Sequence, residues 1–578
     1  MALYPGKIYH VGLRPHCGIC SHPMEVLDRC VLLLGNDDST GFSERLGPFI
    51  FPDYGYRMPD RSGVLRCRKP DCCTMRNPEA STVHYDCFEF ISQRFDLDSS
   101  MDYLWIATAW QTPWRQAPHF RLEETTIKPD WSLFDEIGLP QMKMLPLEIV
   151  QMIYNYSPAS LFWRFHSASF LGQQLSTTVS DYMLSIPLNT VLTWERGSRP
   201  KTTNIPNELP VFLLTIDAWG IQEIKRLSGN PPLKRWRADD RVFVIADRWK
   251  LAGVAARFKF GYLRLELPRI YSGLQTWDTP TPPLISQCQV YPSNIRSSTQ
   301  FKTIDLRQTN GLTFFYSSGA IFAIHAHTEK APYAQKTFQR LNPRRRDLAT
   351  WVYVPFSQND SIDALGVPMP HDDGFSSLNS CLLFRMRLAG DVTIGLTYST
   401  YPRRLLLGQS PPTTMIYNTV ELGAVSVLGA YSIETDNQYL VTEFDSSIVA
   451  NPPSRHAFFS LAPLENVNRA SIFSKKENGA CMGILLQYQN GARRSLGQCR
   501  LGIDHVQHYA NPMFICLSPR VYIQPRSVLL LHATLVNFMY TQEHEHSEQG
   551  WTCCEMKGEL EFWFSAEETK LRVTMERH

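Results

Sequence analysis

The sequence lacks an excess of charge of either sign, because 57 basic residues are balanced by 55 acidic residues among 578 positions. The formal net charge is therefore only +2, and no global positive field concentrates phosphate groups at the surface. The arginines Arg344, Arg345 and Arg346 stand beside a proline, which is typical of a solvated loop. We therefore expect no nucleic acid among the partners of this protein.

Long apolar runs are also missing. No window reaches the roughly 18 uninterrupted apolar residues of a membrane-spanning helix, and the best run, residues 527–540, is interrupted by His532 and Asn537. The start of the chain, MALYPGKIYHVGLRP, contains no apolar segment of the length that a signal peptide needs. We therefore expect a cytoplasmic or nuclear protein that does not associate with membranes and keeps its cysteines reduced.

Known catalytic signatures are absent as well. The sequence contains neither the nucleophile turn G-x-S-x-G nor the phosphate-binding motifs G-x-G-x-x-G and P-loop. The histidines of HEHSE do not have the spacing of zinc proteases, and Asp372 and Asp373 in PHDDG are typical turn formers. We therefore predict that the protein is not an enzyme.

What is present is the composition of an ordinary globular protein, with 43% hydrophobic and 19% charged residues. At roughly 100 to 200 residues per domain, the length predicts three or four domains. Short apolar runs and abundant aromatic residues favour an α+β fold that is predominantly β. We divide the chain into a Cys-rich segment, a Trp-rich irregular connector, a helical module, a β-rich module and an antiparallel β-region, at residues 1–100, 101–140, 141–190, 205–275 and 285–578.

Half of the fourteen cysteines fall in the first 90 residues, which indicates metal ligands rather than a disulfide framework. Cys17 and Cys20 form one pair with two intervening residues, and His84 and Cys87 form another. This spacing lets both members of a pair reach one ion from a tight turn, and zinc accepts thiolate and imidazole donors. The four residues predict a closed, structural zinc site; the alternative is that the cysteines are small buried hydrophobic residues.

The same segment contains cysteines for a second ion. Such a site would combine Cys67 with Cys72 or Cys73 and would be completed by Cys30 or His22. This interleaved spacing resembles the cross-braced RING and PHD families. Because the gap between Cys30 and Cys67 is long, the sequence leaves the existence of this site open.

Two further groups of possible metal ligands lie in the C-terminal half. His325 and His327 stand two residues apart on a predicted strand and so face the same side. We expect them to be polar residues on a solvent-facing side of the strand rather than a metal site. A second zinc site is instead suggested within EHEHSEQGWTCC by His544, His546, Cys553 and Cys554. Since adjacent cysteines do not easily bind one ion, the alternative for this segment is a polar loop.

The stretch from Leu145 to Phe165 has the clearest helical pattern in the chain. Pro146 suits the start of a helix. Four apolar residues then recur at i, i+3, i+4 and i+7 and form one stripe: Ile149, Met152, Ile153 and Tyr156. Ser157 and Pro158 end this helix and begin a second one. The stretch therefore predicts a helical hairpin.

The residues LPLEIVQMI, the proline-containing turn and SLFWRF resemble the F-box, a helical module of about the same register. In that family the Leu-Pro pair and the apolar stripe dock into the Skp adaptor of cullin-type ubiquitin ligases. The resemblance covers the first two helices, whereas the third is poorly visible in the residues that follow. It implies that a Skp-type adaptor contacts Leu145, Pro146, Ile149, Met152, Ile153, Tyr156 and Leu161. The alternative is a hairpin that packs on its own neighbours.

The rest of the chain consists of short β-type runs. PVFLLTIDAW, RVFVIADRW and KFGYLRLELP read as strands, and the Pro- and Thr-rich KTTNIPNELP and DTPTPPLISQ read as linkers. Residues 311–327 and 481–502 predict hairpins, the latter turning at Asn490-Gly491, and MKGELEFWFS predicts a late strand. WVYVPFSQNDSIDALGV and CLLFRMRLAGDVTIGL are similar to the jacalin family, which implies an antiparallel prism or sandwich but assigns no sugar-binding residue here.

These observations combine into one hypothesis and one alternative. The whole layout resembles fungal F-box-like proteins with a Cys-rich head and a β-rich tail. This resemblance implies a substrate adaptor of a cullin-type ubiquitin ligase, which binds a Skp-type adaptor through the hairpin and a target protein through the tail. The alternative is a lectin-like protein that binds a glycan and whose helical hairpin is internal packing.

Overall fold

A computed structural model of the chain describes residues 10–53, 64–68, 78–97, 99–115, 117–120, 122, 129–158, 160–176, 181–203, 209–233, 240–369, 381–396, 403–407, 411–420, 423–433, 457–523, 530–546 and 548–575. These residues include 35 strands and seven α-helices, which confirms an α+β fold that is predominantly β. Two compact units are present, residues 1–282 with 296–299 and residues 283–295 with 300–578. The main boundary between the two units follows Pro282, which lies within the Pro- and Thr-rich stretch DTPTPPLISQ.

The N-terminal part of the first unit, called the head here, is a small sheet covered by helices. Its strands are β1 (His10–Gly12), β2 (Arg29–Gly35), β3 (Phe42–Ile50), β4 (Leu65–Cys67) and β5 (Ala80–His84). The antiparallel order is β3-β2-β5, and β1 pairs with β4 in parallel. Residues 30–35 of β2 are all buried, so this strand is a continuous apolar run rather than an alternating one.

Two helices pack on this sheet, α1 (Tyr85–Arg94) and α2 (Met101–Ala109). All residues of α2 from Tyr103 to Ala109 are buried. The expectation of irregular structure is therefore wrong for residues 101–109. A helix that is buried on all sides carries no amphipathic period, so the sequence pattern did not indicate it.

A helical module follows, formed by α3 (Trp131–Glu136), a 3-10 turn (Pro140–Met144), α4 (Leu147–Tyr156) and α5 (Leu161–Leu175). Phe134, Val150 and Trp163 form its buried core, which confirms the predicted helical hairpin as a packed structure. The first ten residues of the segment in which a third helix was poorly visible, residues 166–175, are the continuation of α5, which is one helix of 15 residues. Its second half leaves the module and contributes to the core of the head, through Ala168, Leu171 and Leu175.

The remainder of the first unit is antiparallel sheet. Its strands are β6 (Leu184–Pro187), β7 (Val191–Glu195), β8 (Lys201–Thr202), β9 (Val211–Asp217), β10 (Gly220–Leu227), β11 (Val242–Asp247), β12 (Ala255–Lys259), β13 (Tyr262–Glu266) and β14 (Thr276–Trp277). The orders are β14-β11-β9-β10-β7-β8 and β13-β12-β6, and β9, β11 and β13 confirm the three strands predicted from sequence. The β12–β13 hairpin also completes the head, because Tyr262 is buried in the head core and Phe260 stacks on Tyr103.

The second unit is almost entirely antiparallel sheet. Its strands are β15 (Gln289–Tyr291), β16 (Gln300–Asp305), β17 (Gly311–Ser317), β18 (Ala320–His327), β19 (Thr350–Pro355), β20 (Ile362–Met369), β21 (Leu382–Met386), β22 (Gly390–Ile394), β23 (Arg403–Leu406), β24 (Thr414–Thr419), β25 (Leu428–Tyr431), β26 (Phe458–Pro463), β27 (Val467–Ser474), β28 (Cys481–Tyr488), β29 (Arg493–Gly497), β30 (His505–Ala510), β31 (Phe514–Ile523), β32 (Leu530–Met539), β33 (Thr552–Glu555), β34 (Glu559–Phe564) and β35 (Thr569–Thr574). The predicted hairpins are confirmed as β17–β18 and β28–β29, and the late strand as β34.

Six groups of three or four strands share one core in this unit. The orders are β15-β25-β24-β16, β18-β17-β19, β22-β21-β20-β23, β26-β34-β35, β29-β28-β27-β30 and β32-β31-β33. Each group contributes buried residues, among them Ile304, Leu312, Leu365, Phe562, Ile472 and Ile515.

The described residues of the second unit include two α-helices, α6 (Gln335–Gln339) and α7 (Pro343–Arg346). The three arginines expected in a loop therefore lie in a one-turn helix. Pro343 stands at its first position, and the Asn342 side chain accepts a hydrogen bond from the Arg344 backbone N–H, which together stabilise this turn. Across the described part of the chain, no helix is both long enough and apolar enough to cross a bilayer.

Candidate metal centre

Two tight turns of the head bring the predicted metal ligands Cys17, Cys20, His84 and Cys87 together. The first two lie in the turn between β1 and β2, where the Ser21 N–H donates to the Cys17 carbonyl at 2.8 Å. His84 ends β5 and Cys87 lies in the first turn of α1. Only glycine fits at position 18, between β5 and α2. A Cβ atom there would lie 2.6 Å from Ser81 Oγ and 2.7 Å from Thr108 Cβ, which is too close.

The separations between the ligand atoms suit one tetrahedral ion. Cys20 Sγ and Cys87 Sγ lie 3.4 and 3.9 Å from His84 Nδ1, and all four ligand atoms lie within 4.8 Å of one another. Bond lengths near 2.3 Å to sulfur and 2.0 to 2.1 Å to nitrogen place tetrahedral S and N ligands about 3.5 Å apart. The cluster can therefore hold a metal ion, and we call it the head cluster.

A carboxylate orients the imidazole of the head cluster. His84 Nε2 lies 3.3 Å from Asp28 Oδ2, the distance of a long hydrogen bond or ion pair. When Nε2 carries the proton and donates it to Asp28, the lone pair of Nδ1 is directed at the sulfur atoms. This carboxylate–histidine arrangement is the usual outer contact of a metal-binding histidine, because it sets the tautomer and raises the basicity of the imidazole.

Burial and mutual hydrogen bonding set the charge of the thiols. Burial opposes ionisation of Cys17, but hydrogen bonds from Cys20, Cys87 and His84 hold the pKa of the Cys17 thiol well below its usual value. Burial and the neighbouring Cys17 thiolate raise the pKa of the Cys20 thiol. The head cluster therefore holds one thiolate readily, and further ionisation requires a cation to offset the added negative charge.

The head cluster is connected to the helical module by two contacts. Arg164 Nη2 on α5 lies 4.0 Å from Cys87 Sγ. The ring nitrogens of His22 lie 2.8 Å from the Cys20 carbonyl oxygen and 2.6 Å from the Pro158 carbonyl oxygen in the turn between α4 and α5. The turn that carries Cys20 is thus held against the start of α5.

The proposed second site of the head is only partly described. Cys72 and Cys73 lie outside the described residues. Cys30 contacts Met24 Sδ at 3.5 Å and the Asp28 carbonyl, and His22 makes the two carbonyl contacts given above. Neither belongs to a metal-ligand group among the described residues. Cys67 is buried in β4 and belongs to no metal-ligand group among the described residues.

The histidine pair of β18 has a different role from the one expected. His325 and His327 are both buried, so their assignment to a solvent-facing side is wrong. His325 contacts Thr337 Oγ1 at 2.8 Å and the Ala331 carbonyl, and His327 contacts Thr313 Oγ1 at 2.7 Å and the Pro332 carbonyl. Both rings serve as hydrogen-bonded core residues because α6 and the residues before it cover this side of the strand.

Three of the four residues predicted for the C-terminal cluster lie together, and a different cysteine takes the fourth position. His544, His546 and Cys553 lie together, but their fourth neighbour is Cys516 of β31 and not Cys554. Cys553 and Cys554 are adjacent on β33 and so point to opposite faces of the sheet, with Cys554 packing against the core. Sequence reasoning missed Cys516 because it stands 28 residues before His544.

The residues predicted to bind a partner divide into two groups. Pro146, Ile149, Met152, Tyr156 and Leu161 are exposed, whereas Leu145 and Ile153 are half-buried against the core of the helical module. Val150, which lies outside the predicted stripe, is the residue of α4 that is buried. Leu147 is exposed beside the predicted residues and was not identified from the sequence. The surface of Leu147, Ile149, Met152, Tyr156 and Leu161 is called the α4 surface below.

Comparison with known proteins found no match: no family model matches the chain, and no curated protein matches its sequence significantly.

Proposed function

We propose that this protein is a substrate adaptor of a cullin-type ubiquitin ligase and that the α4 surface binds a Skp-type adaptor protein. The observation that carries the proposal is the exposure of the predicted stripe: Ile149, Met152 and Tyr156 are 40%, 50% and 86% exposed. These residues follow one another at three- and four-residue intervals on a helix of 10 residues. They therefore form a continuous apolar strip that water contacts until a partner covers it.

The form of the α4 surface supports a helix-in-groove partner. Helices bind grooves through apolar anchors at i, i+3 and i+7, which is the spacing of Ile149, Met152 and Tyr156. The hairpin does not need these residues for its own packing, since its core is Phe134, Val150 and Trp163. The Leu-Pro start and the proline-containing turn favour the Skp-type adaptor, because they repeat the register of the F-box.

The head cluster supports this function by fixing the hairpin. Three thiolates and one imidazole in tetrahedral range favour zinc, which takes Cys3His ligand sets in structural sites. Zinc would hold α1 and the β1–β2 turn together, and α5 rests on α1 through Arg164 and through the stacking of Phe165 on Phe90. We therefore assign the metal a structural role beneath the docking helices.

In this proposal the β-rich second unit binds the target protein. Its role as a binder of a target protein follows from the adaptor hypothesis, and the lectin-like alternative stays a prediction. A glycan array probed with the full chain separates the two, since only a lectin gives reproducible binding to defined sugars.

Co-purification with a Skp-type adaptor tests the proposal. We expect the wild-type chain to retain the adaptor in equal amounts, and Ile149→Asp with Met152→Asp to weaken binding by about 100-fold or more, because two charges enter an apolar contact. Ile270→Asp is the matched control, since Ile270 is an exposed isoleucine of the same unit outside the helical module. It should bind like the wild type.

The proposal fails if the wild-type chain retains no adaptor, or if the double variant binds as tightly as Ile270→Asp. Zinc content and far-ultraviolet circular dichroism of each variant establish that it is folded. Because both substituted side chains are exposed, we expect these two properties to be unchanged.

A further inference from the structure

A second group of metal-ligating side chains lies in the second unit, at one end of the sheet β32-β31-β33. Cys516 lies on the central strand β31 and stands directly opposite Cys553 of the edge strand β33. His544 and His546 lie in the segment that leaves the other edge strand, β32, and crosses to β33. Four side chains from three separate stretches of chain therefore meet where the crossing segment passes β31.

The distances between these side chains are those of a four-ligand site. His544 Nε2 lies 3.3 Å from Cys516 Sγ and 3.2 Å from Cys553 Sγ, and His546 Nε2 lies 3.2 Å from Cys553 Sγ. All four ligand atoms lie within 4.8 Å of one another. Tetrahedral zinc places N and S ligands about 3.5 Å apart, so a small movement outward accommodates the ion.

Both imidazoles are oriented by contacts outside the group. His544 Nδ1 lies 2.8 Å from the Thr541 carbonyl, which can only accept, so Nδ1 carries the proton and the Nε2 lone pair faces the sulfur atoms. The His546 ring stacks on Trp551 with centroids 4.5 Å apart and an interplanar angle of 11°. The crossing segment thus presents both Nε2 atoms to the two cysteines.

We propose that Cys516, His544, His546 and Cys553 bind one metal ion of the zinc class, and that this ion fastens the crossing segment onto the sheet. A tetrahedral set of two sulfur and two nitrogen ligands selects zinc among the common divalent ions. Binding releases the two thiol protons to solvent, and the ion with two thiolates and two neutral imidazoles carries no net charge.

The site differs from the head cluster in its access to solvent. All four residues of the head cluster are buried, whereas Cys553 is exposed and both histidines are half-buried. Chelators reach the ion directly, so we expect the C-terminal ion to be removed first and the crossing segment to become mobile at that point. The inference is independent of the adaptor hypothesis, because it rests on ligand geometry in the second unit alone.

Metal analysis of the full chain purified under reducing conditions and supplied with Zn²⁺ tests the proposal. We expect two zinc ions per wild-type chain and one in His546→Ala, whose side chain is not part of the core. Cys516→Ser should also lose one ion, although Cys516 is fully buried and its replacement can disturb folding. Cys554→Ser is the matched control, because it removes the adjacent cysteine on the other face, and it should keep both ions.

Amide hydrogen exchange of residues 541–551 gives a second measurement. Limited chelator should raise exchange there at least tenfold before it affects residues 80–90 of the head. The proposal is overturned if His546→Ala keeps both ions, if Cys554→Ser loses one, or if exchange in the segment does not respond to metal. A disulfide between Cys516 and Cys553 in protein freshly purified under reducing conditions would likewise contradict it.

Discussion

The Arg164 guanidinium lies beside the Cys87 sulfur, with Nη2 and Sγ 4.0 Å apart. A zinc ion bound by three thiolates and one neutral imidazole carries a net charge of −1, and Arg164 supplies the opposite charge. The same side chain belongs to α5, which forms the hairpin with α4. Arg164 therefore links the charge of the head cluster to the position of the helical hairpin.

Arg164→Gln should weaken retention of the head metal by about tenfold, the lower end of the range for residues that contact metal ligands. Glutamine keeps most of the apolar stem and removes the charge. Competition with a chromogenic chelator measures the affinity. Arg199→Gln is the control, since Arg199 is an exposed arginine of the same unit, and it should retain metal like the wild type. Equal retention in both variants would show that Arg164 has no electrostatic role.

Trp163→Ala and Tyr156→Ala should separate packing from docking. Trp163 is 2% exposed in the core of the helical module, so its removal should cost about 3 to 5 kcal/mol of local stability. Tyr156 lies on the α4 surface, and its removal should change stability by less than about 0.5 kcal/mol. Amide hydrogen exchange across α4 and α5 measures both effects. If Tyr156→Ala accelerated exchange as much as Trp163→Ala, the α4 surface would be part of the core.

Glu79→Gln should make the first unit less stable and less sensitive to acid. Arg264 contacts both carboxylate oxygens of Glu79 at 2.7 Å, and Arg14 contacts one at 3.1 Å. Burial alone would raise the pKa of Glu79, but the two arginines lower it from 4.5 to about 2. Removing one partner of a buried ion pair typically costs about 3 to 5 kcal/mol.

The sign of the pH effect follows from this lowered pKa. The unfolded chain binds a proton at Glu79 before the folded chain does, so the stabilisation is complete above about pH 5 and is lost as the pH falls towards 2. Urea unfolding followed by tryptophan fluorescence between pH 7 and pH 3 measures it. The difference between wild type and Glu79→Gln should shrink with acidification, whereas exposed Glu195→Gln should follow the wild type throughout. A difference that does not change with pH would contradict the assignment.

Local spacing was sufficient to identify the head cluster. Each of its pairs lies within a single turn, so two-residue gaps reveal the pairs without knowledge of the fold. What joins the pairs is long-range, since Cys20 and His84 are 64 residues apart. The turn that carries Cys17 and Cys20 is held at β5 by a hydrogen bond from the Gly18 N–H to the Thr82 carbonyl at 2.9 Å. The hairpin turning at Asn490-Gly491 was equally predictable, because Gly491 has a φ of +87° that glycine adopts without strain.

Features that tertiary packing creates could not be predicted from local sequence patterns. The helix α2 carries no amphipathic period, since its neighbours cover it on all sides. Cys516 joins Cys553 only through the pairing of β31 with β33, which no local pattern encodes. The stripe on α4 was predicted as one surface, but Ile153 turns towards Trp163 and only the orientation of the hairpin decides which half is exposed.

The late contribution of Tyr262 to the head core affects how the protein is made. Cys87 leaves the ribosome long before the β12–β13 hairpin exists, and at roughly 5 to 20 residues per second the interval is on the order of ten seconds or more. During translation the head therefore has its metal ligands but not its complete core. The thiols of the incomplete head are open to oxidation for that period, and slower translation across residues 88–262 would prolong it.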